Sequence, residues 1–359
     1  MHDFLEWTRI AFRRQHGLGE SPEQQRQAWI PDDAMFRLAC RHRVAGLWAA
    51  ELVPDWKHYA YGQAQHAVRC ALEAERIYGH LQRSIPGIGI IKGPALAVQA
   101  WPQHGLRHFD DLDFRCGKAQ FRRLREAFGA LGYRPAIEDP NHQENLWHFG
   151  WGVAFTRADG FLVECNHRMF PPHYPWPARL DRADAGVWNL LTMEQHKVLT
   201  LDPAPHLLLC CLHAIWHGWE RLSWAADIAG LLVRYPEVLD DARRLSGASG
   251  FPRRALDSAC GVVNGLFGPL PGWSGRTPAG DADRIEAESL LMRADGTGGF
   301  GFARRLQYRL YNNRERIGCT LRRLLIPGDL DFRRWSLSSR HRHAYWILRQ
   351  FRQLGILQR

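Results

Sequence analysis

Asp111 and Asp113 stand two residues apart in the run Arg107-His108-Phe109-Asp110-Asp111-Leu112-Asp113-Phe114, and a helix-length gap upstream lies Ile90-Ile91-Lys92-Gly93. In a strand of period two, both carboxylates project from one face. Such a pair suits a hard divalent cation, Mg²⁺ or Mn²⁺, which accepts one or two protein carboxylates and completes its shell with water and phosphate oxygens. A second ion about 3.5–4 Å away would stabilise both the attacking and the leaving oxygen of an in-line displacement. That calls for a third acid. Glu164 is the candidate, in the apolar run Phe161-Leu162-Val163-Glu164-Cys165 that follows the turn signal Asp159-Gly160. The chemistry this set predicts is transfer of a phosphoryl-linked group, with Asp111 and Asp113 as metal ligands and Glu164 as a further ligand or as the group that activates the acceptor. An isolated Asp-x-Asp is a common solvated turn, but here a Lys-Gly turn, a helix, the acidic pair and a later acidic strand follow one another in order.

Around these acids, Lys92 beside its glycine turn is placed as a point charge on phosphate oxygens, against the alternative of a solvated loop charge. Free amides at the helix that starts there can add phosphate donors. Arg107 would pair with the acidic cluster or with a triphosphate. Asp110, by alternation, points to the opposite face and is not counted as a ligand. His213 and His217 share one helix face at a zinc-like spacing, yet the residues between them lack the Glu of a metalloprotease helix. Trp216, Trp219 and Trp224 fall at helical spacing and are expected in the core.

Taken together, the Lys92-Gly93 turn, Arg107 before the Asp111-x-Asp113 strand, the later Glu164 strand and the segment Leu207–Leu232 carry a resemblance. In that segment His213, His217, Trp219, Leu222, Trp224 and Asp227 match a helical signature. Over roughly residues 30 to 265 the chain resembles the uncharacterised nucleotidyltransferase family of the DNA polymerase beta-like superfamily. The resemblance implies an α+β fold, a polymerase-beta-like nucleotidyltransferase palm with flanking helical domains. It implies an NTP such as ATP as substrate, Mg²⁺ or Mn²⁺ as cofactor, and transfer of NMP to a hydroxyl or phosphate acceptor with release of pyrophosphate. A small-molecule, sugar or peptide acceptor is favoured; the alternatives are an RNA- or tRNA-directed nucleotidyltransferase and a non-catalytic nucleic-acid-binding protein. Lys92, Gly93, Arg107 and His217 would contact the nucleotide, His217 and Asp227 having a structural hydrogen-bond role as the alternative. The sequence departs from the superfamily's usual Gly-Gly or Gly-Ser turn with Lys92-Gly93-Pro94, and from the family's His after the third carboxylate with Asn166, His167 following one later.

The elements that must position these residues are legible in outline. Residues 1–85 read as helical, with periodic segments at 38–48 and 59–83, ended by Pro86-Gly87. A strand at 89–91, a helix from Pro94 to Trp101, a helix at 118–131 and a hairpin of 147–156 with 161–165 make a palm over 86–170. Pro171, Pro172, Pro175 and Pro177 open a helical domain at 171–268. Residues 269–300, rich in Gly, Pro, Ser and Asp with a short helix at 283–293, read as a linker. The Arg-rich region 301–359 holds 14 Arg and three acids (14 − 3 = +11), so the whole excess of the chain's +10 net charge lies there. Apolar residues interleave those arginines at helical spacing, which predicts either a docked cap or a polyanion surface for nucleic acid. No run of 18 apolar residues predicts a membrane span, and MHDFLEWTRI lacks the apolar core of a secretory signal, so a cytoplasmic protein is expected. The eight Cys show neither zinc spacing nor a disulfide framework and are expected as reduced thiols.

Overall fold

Leu112 and Phe114 of the strand Asp111–Arg115 (β2) turn to one face, where they are buried with Ile90 of Gly89–Ile91 (β1) and with Val163 and Cys165 of Leu162–Asn166 (β5). Against that face lies the helix Lys57–Leu81, whose Ala67, Cys70, Ala74, Ile77 and Leu81 recur every three or four residues and fill the same core. This protein is described by a computed structural model covering residues 2–19, 32–182, 186–271, 287 and 299–354.

The strand β2 is antiparallel to β1 and parallel to β5, which pairs with Gly152–Thr156 (β4), and that strand with the short Arg134–Pro135 (β3). On the other side, β1 runs parallel to Lys197–Leu201 (β7), itself hairpinned to Trp188–Thr192 (β6). The result is a mixed seven-stranded sheet of order β3-β4-β5-β2-β1-β7-β6. Helices pack on both faces. The last two strands lie beyond residue 170, where the sequence pattern ends the palm, because β1 would otherwise present an unpaired apolar edge. Thr200 adds a side-chain bond to the Ile90 carbonyl at 2.7 Å, and the β6–β7 turn is held by buried Glu75, which accepts the amides of Gln195 and His196.

The expected strand over 147–156 is shorter than its pattern suggests. Residues 147–149 close the helix Pro140–Phe149, which Asp139 caps by accepting the Asn141 amide at 2.9 Å, with Pro140 in the first turn. Strand β4 begins only at Gly152, where a β-carbon would stand 2.0 Å from Asn166 Oδ1.

A second core joins the helices His2–Gln15, Ala45–Glu51, Pro203–Trp216, Leu222–Arg234 and Phe251–Phe267. The C-terminal region docks into it through Phe302, Leu306, Tyr311 and Cys319, while Phe332 and Tyr345 form a smaller cluster with Phe149. Asp331, 0% exposed, accepts from Arg349 and Arg352, each at 2.6 Å, and from the Gly328 amide. Residues 302–353 are therefore packed as a cap, though Ile317, Leu321, Leu324 and Leu325 remain exposed. Most of the expected linker, including its short helix, lies outside the described residues. No helix among the described residues is long and apolar enough to cross a membrane, and all eight cysteines are free.

The Asp331 centre gives a direct test of how the tail's own helices are held together. Asp331→Ala should lower unfolding free energy by about 3 kcal/mol, the lower end for breaking a buried pair, since Arg349 and Arg352 can turn to water. Denaturant melts measure this, and a loss below about 1 kcal/mol would mean that this centre does not hold the tail's own helices together.

Candidate active site

Alternation sends Asp111 and Asp113 to the face opposite Leu112 and Phe114, and Glu164 to the face opposite Val163 and Cys165. The parallel register sets Asp113 beside Glu164. These three carboxylates line a cavity of about 530 Å³ together with Lys92, Gly93, Arg107 and His217, so the structure brings all seven predicted site residues to one place.

Their partners define the electrostatics. Lys92 Nζ lies 3.0 Å from Asp113 Oδ2, while Asp113 Oδ1 is buried without a hydrogen-bond partner. Burial pushes the Asp113 carboxyl up to about 7, Lys92 offsetting part of that cost and Asp111 and Glu164 adding to it. Glu164 is raised too, by burial first and by Asp111 next, with Lys92 opposing. Burial works against the Lys92 charge, yet Asp113, Asp111 and Glu164 together hold its ammonium above the ordinary range. As placed, no three His, Cys, Asp or Glu side chains among the described residues are gathered closely enough to hold a metal ion. The donor set nonetheless fits a hard cation: three oxygen donors on one wall, one carboxylate oxygen unpartnered, and a single ammonium against three acids.

The turn that carries Lys92 is strained. Lys92 has φ 51° and Gly93 φ 41°, and a side chain in that region is tolerated only where its surroundings enforce it. A buried relay does so. The Lys92 amide donates to His206 Nε2 at 3.0 Å, His206 Nδ1 donates to Gln99 Oε1 at 2.6 Å, and Gln99 Nε2 donates to the Leu201 carbonyl at 2.8 Å. Burial, helped by Arg107 and Lys92, drives His206 down to about 3, so the ring stays neutral and able to accept.

Arg107 takes the first of its two expected roles. Its Nε and one terminal nitrogen bind the Asp227 carboxylate at 2.7 and 2.9 Å, its other terminal nitrogen reaches the Gly93 carbonyl at 3.2 Å, and Trp101 Nε1 donates to the same carboxylate at 2.8 Å. Arg107 thus ties the Lys-Gly turn to the helix Leu222–Arg234. His213, His217 and Trp224 form one ring wall of the cavity, with centroids 4.5–5.2 Å apart. Trp219 is buried, as its spacing predicts, whereas Trp216 and Trp224 face the cavity. Asp110 also differs from expectation. It precedes β2, so strand alternation does not govern it, and it sits on the cavity rim bonded to Arg43 and His108. Sequence reasoning missed Arg43, Arg221, Trp151, His206 and Gln99. A helix start at Asp202-Pro203 was the only local signal near His206, and nothing in the periodicity marks the others.

A cleft with an acid trio and a lysine on one sheet wall, tied to a helical layer by a buried Arg–Asp pair, is of the kind that handles charged phosphate compounds. The chain belongs to the uncharacterised nucleotidyltransferase family, whose model matches residues 33–255 and so spans the acids, the lysine turn, Arg107, His217 and Asp227. No curated protein and no solved structure matches it.

The relay predicts a pH signature. A histidine held neutral far below its ordinary value contributes stability that is present above about 6.5 and is lost as pH falls toward 3. His206→Gln should flatten part of that acid slope in pH-resolved denaturant melts; an unchanged slope would place the acid sensitivity elsewhere.

Proposed function

We propose that this protein is a divalent-metal-dependent nucleotidyltransferase that moves a nucleoside monophosphate from an NTP to an acceptor hydroxyl and releases pyrophosphate. The observation that carries this is the acid trio on one cavity wall, with the buried Asp113 oxygen left unpartnered. Asp111, Asp113 and Glu164 would hold Mg²⁺ or Mn²⁺, which would supply neutralisation of phosphate and leaving-group charge. Lys92 offsets part of the cluster's negative charge, and it stands at the helix start where phosphate oxygens would arrive. Gly93 leaves the backbone open beside it.

In the transfer, the acceptor oxygen forms a bond to the α-phosphorus, the bond from that phosphorus to the bridging oxygen breaks, and pyrophosphate leaves with the electron pair. In the acceptor-activating role Glu164 would take the acceptor proton, its affinity for protons raised by burial and by Asp111. The aromatic lining at Trp151, Phe170 and Trp216 suits a sugar, peptide or other small acceptor better than a duplex. His217, beside Trp224, would meet the nucleotide or the acceptor at that wall.

Pyrophosphate release with each NTP, Mg²⁺ and cell extract tests the proposal. Asp111→Asn should cut release by about a hundredfold or more while the metal-free melting temperature holds or rises, because a like charge leaves the cluster. Equal turnover by that variant would remove the central claim. Glu164→Gln that loses turnover but keeps NTP binding would mark it as the base, and loss of both would mark it as a ligand.

A further inference from the structure

Two helices, Asp33–Arg41 and Pro203–Trp216, end at the cavity in the same hydrogen-bonded turn. At the first, the Val44 amide donates to Ala39 O at 2.9 Å and the Arg43 amide to Cys40 O at 3.0 Å; at the second, Trp219 donates to Ala214 O at 3.0 Å and Gly218 to Ile215 O at 3.2 Å. This pattern places one residue in the left-handed region, normally a glycine. The second turn follows the rule with Gly218, φ 64°, and Trp219 after it also has positive φ, 58°. The first puts Arg43 there, φ 58°, so a long side chain occupies a position where glycine would be relaxed. The turns are joined: the Ser223 amide donates to His42 O at 3.1 Å and the Leu222 amide to His42 Nδ1 at 3.4 Å. Arg43 and Arg221 therefore flank one joint and line one stretch of the cavity.

Their charges are the least compensated there. Lys92 is engaged by Asp113 and Arg107 by Asp227. Arg221, the residue before the helix Leu222–Arg234, lies over the Trp224 ring at 5.8 Å and makes no ion pair within 4.0 Å among the described residues. Among the described residues, the side chain of Arg43 pairs with the rim carboxylate Asp110, which is 57% exposed and also bonded by His108. Burial brings Arg43 down to about 10, and the neighbouring Arg221 charge adds to that. Two guanidinium groups that line the same stretch of the cavity and repel one another, one of them on a strained backbone, suit a polyvalent anion.

We propose that Arg43 and Arg221 form the clamp for the β- and γ-phosphates of the nucleotide, and so for the pyrophosphate that leaves. This rests on the nucleotidyl-transfer role of the three carboxylates. Arg forks match phosphate geometry in pairs, whereas Lys92 and Arg107 are anchored by acids of the fold. The clamp belongs to the N-terminal helices and the loop after residue 216 rather than to the sheet, so the sheet supplies the reacting end of the site and the helical layer supplies the anion end.

The full-length wild type, Arg221→Gln and Arg43→Gly are titrated calorimetrically with inorganic pyrophosphate, tripolyphosphate and a nucleoside monophosphate in magnesium buffer. Each variant should weaken tripolyphosphate and pyrophosphate at least tenfold and leave the monophosphate within a factor of about two. Arg43→Gly should keep or raise the melting temperature, since it relieves the left-handed residue, so lost binding is not lost folding. Undiminished tripolyphosphate binding in both variants, or none by the wild type, overturns the clamp. Tripolyphosphate binding that depends on these arginines without pyrophosphate release from any NTP sinks the transfer role and leaves the anion site standing. Release that persists with unchanged KM in both variants does the reverse.

Discussion

One ammonium buried against one carboxylate, Lys92 on Asp113, sets the terms for everything around it. A lone ionised acid at that depth would take up a proton, and three acids on a wall would repel one another. Lys92 can stand there only because its backbone adopts a left-handed conformation, which the His206–Gln99–Leu201 relay enforces. That relay in turn requires β7 to lie beside β1 and the helix Pro203–Trp216 to start immediately after it. The edge strands and the helical layer are thus part of the site, although none of the three cavity acids lies on them.

The second tie is Arg107 on Asp227. It joins the turn before β2 to the helix Leu222–Arg234, and Gly230 on that helix lets it approach so closely that a β-carbon would stand 2.1 Å from the Ala100 carbonyl. The turn before β2 and the helix Gly93–Ala100 are therefore held against the helix Leu222–Arg234 by one bidentate ion pair and one missing side chain. The ring wall of His213, His217 and Trp224 hangs from the same helical layer, so its position over the acids is inherited from that tie.

What could be read in the sequence was what depends on period and local order. Asp111, Asp113 and Glu164 share a face because strands alternate, and the Lys-Gly turn could be placed because Pro94 opens a helix. Residues 147–149 were misjudged because apolar residues suit a strand or a buried helix end equally well, and Asp139-Pro140 upstream was the deciding cap. Strands β6 and β7 carry no signal that they return to β1, since pairing of Ile90 with Thr200, 110 residues on, is a tertiary fact. Asp110 failed for a related reason, as alternation holds only inside a strand. Arg107 shows the limit of residue chemistry, because a guanidinium fits a carboxylate and a phosphate alike and only the position of Asp227 decides.

The pairing of β2 with β5 has a consequence for how this chain can vary through descent. Asp113 stands level with Glu164, and each is flanked by residues sunk in the opposite core. Adding or deleting one residue inside either strand would exchange the two faces, driving carboxylates into the hydrocarbon core and leucine or phenylalanine into the cavity. Lineages carrying this site are therefore free to change length at the turns, such as that around Gly160, and free to exchange wall residues. They are bound to keep the count within these two short strands.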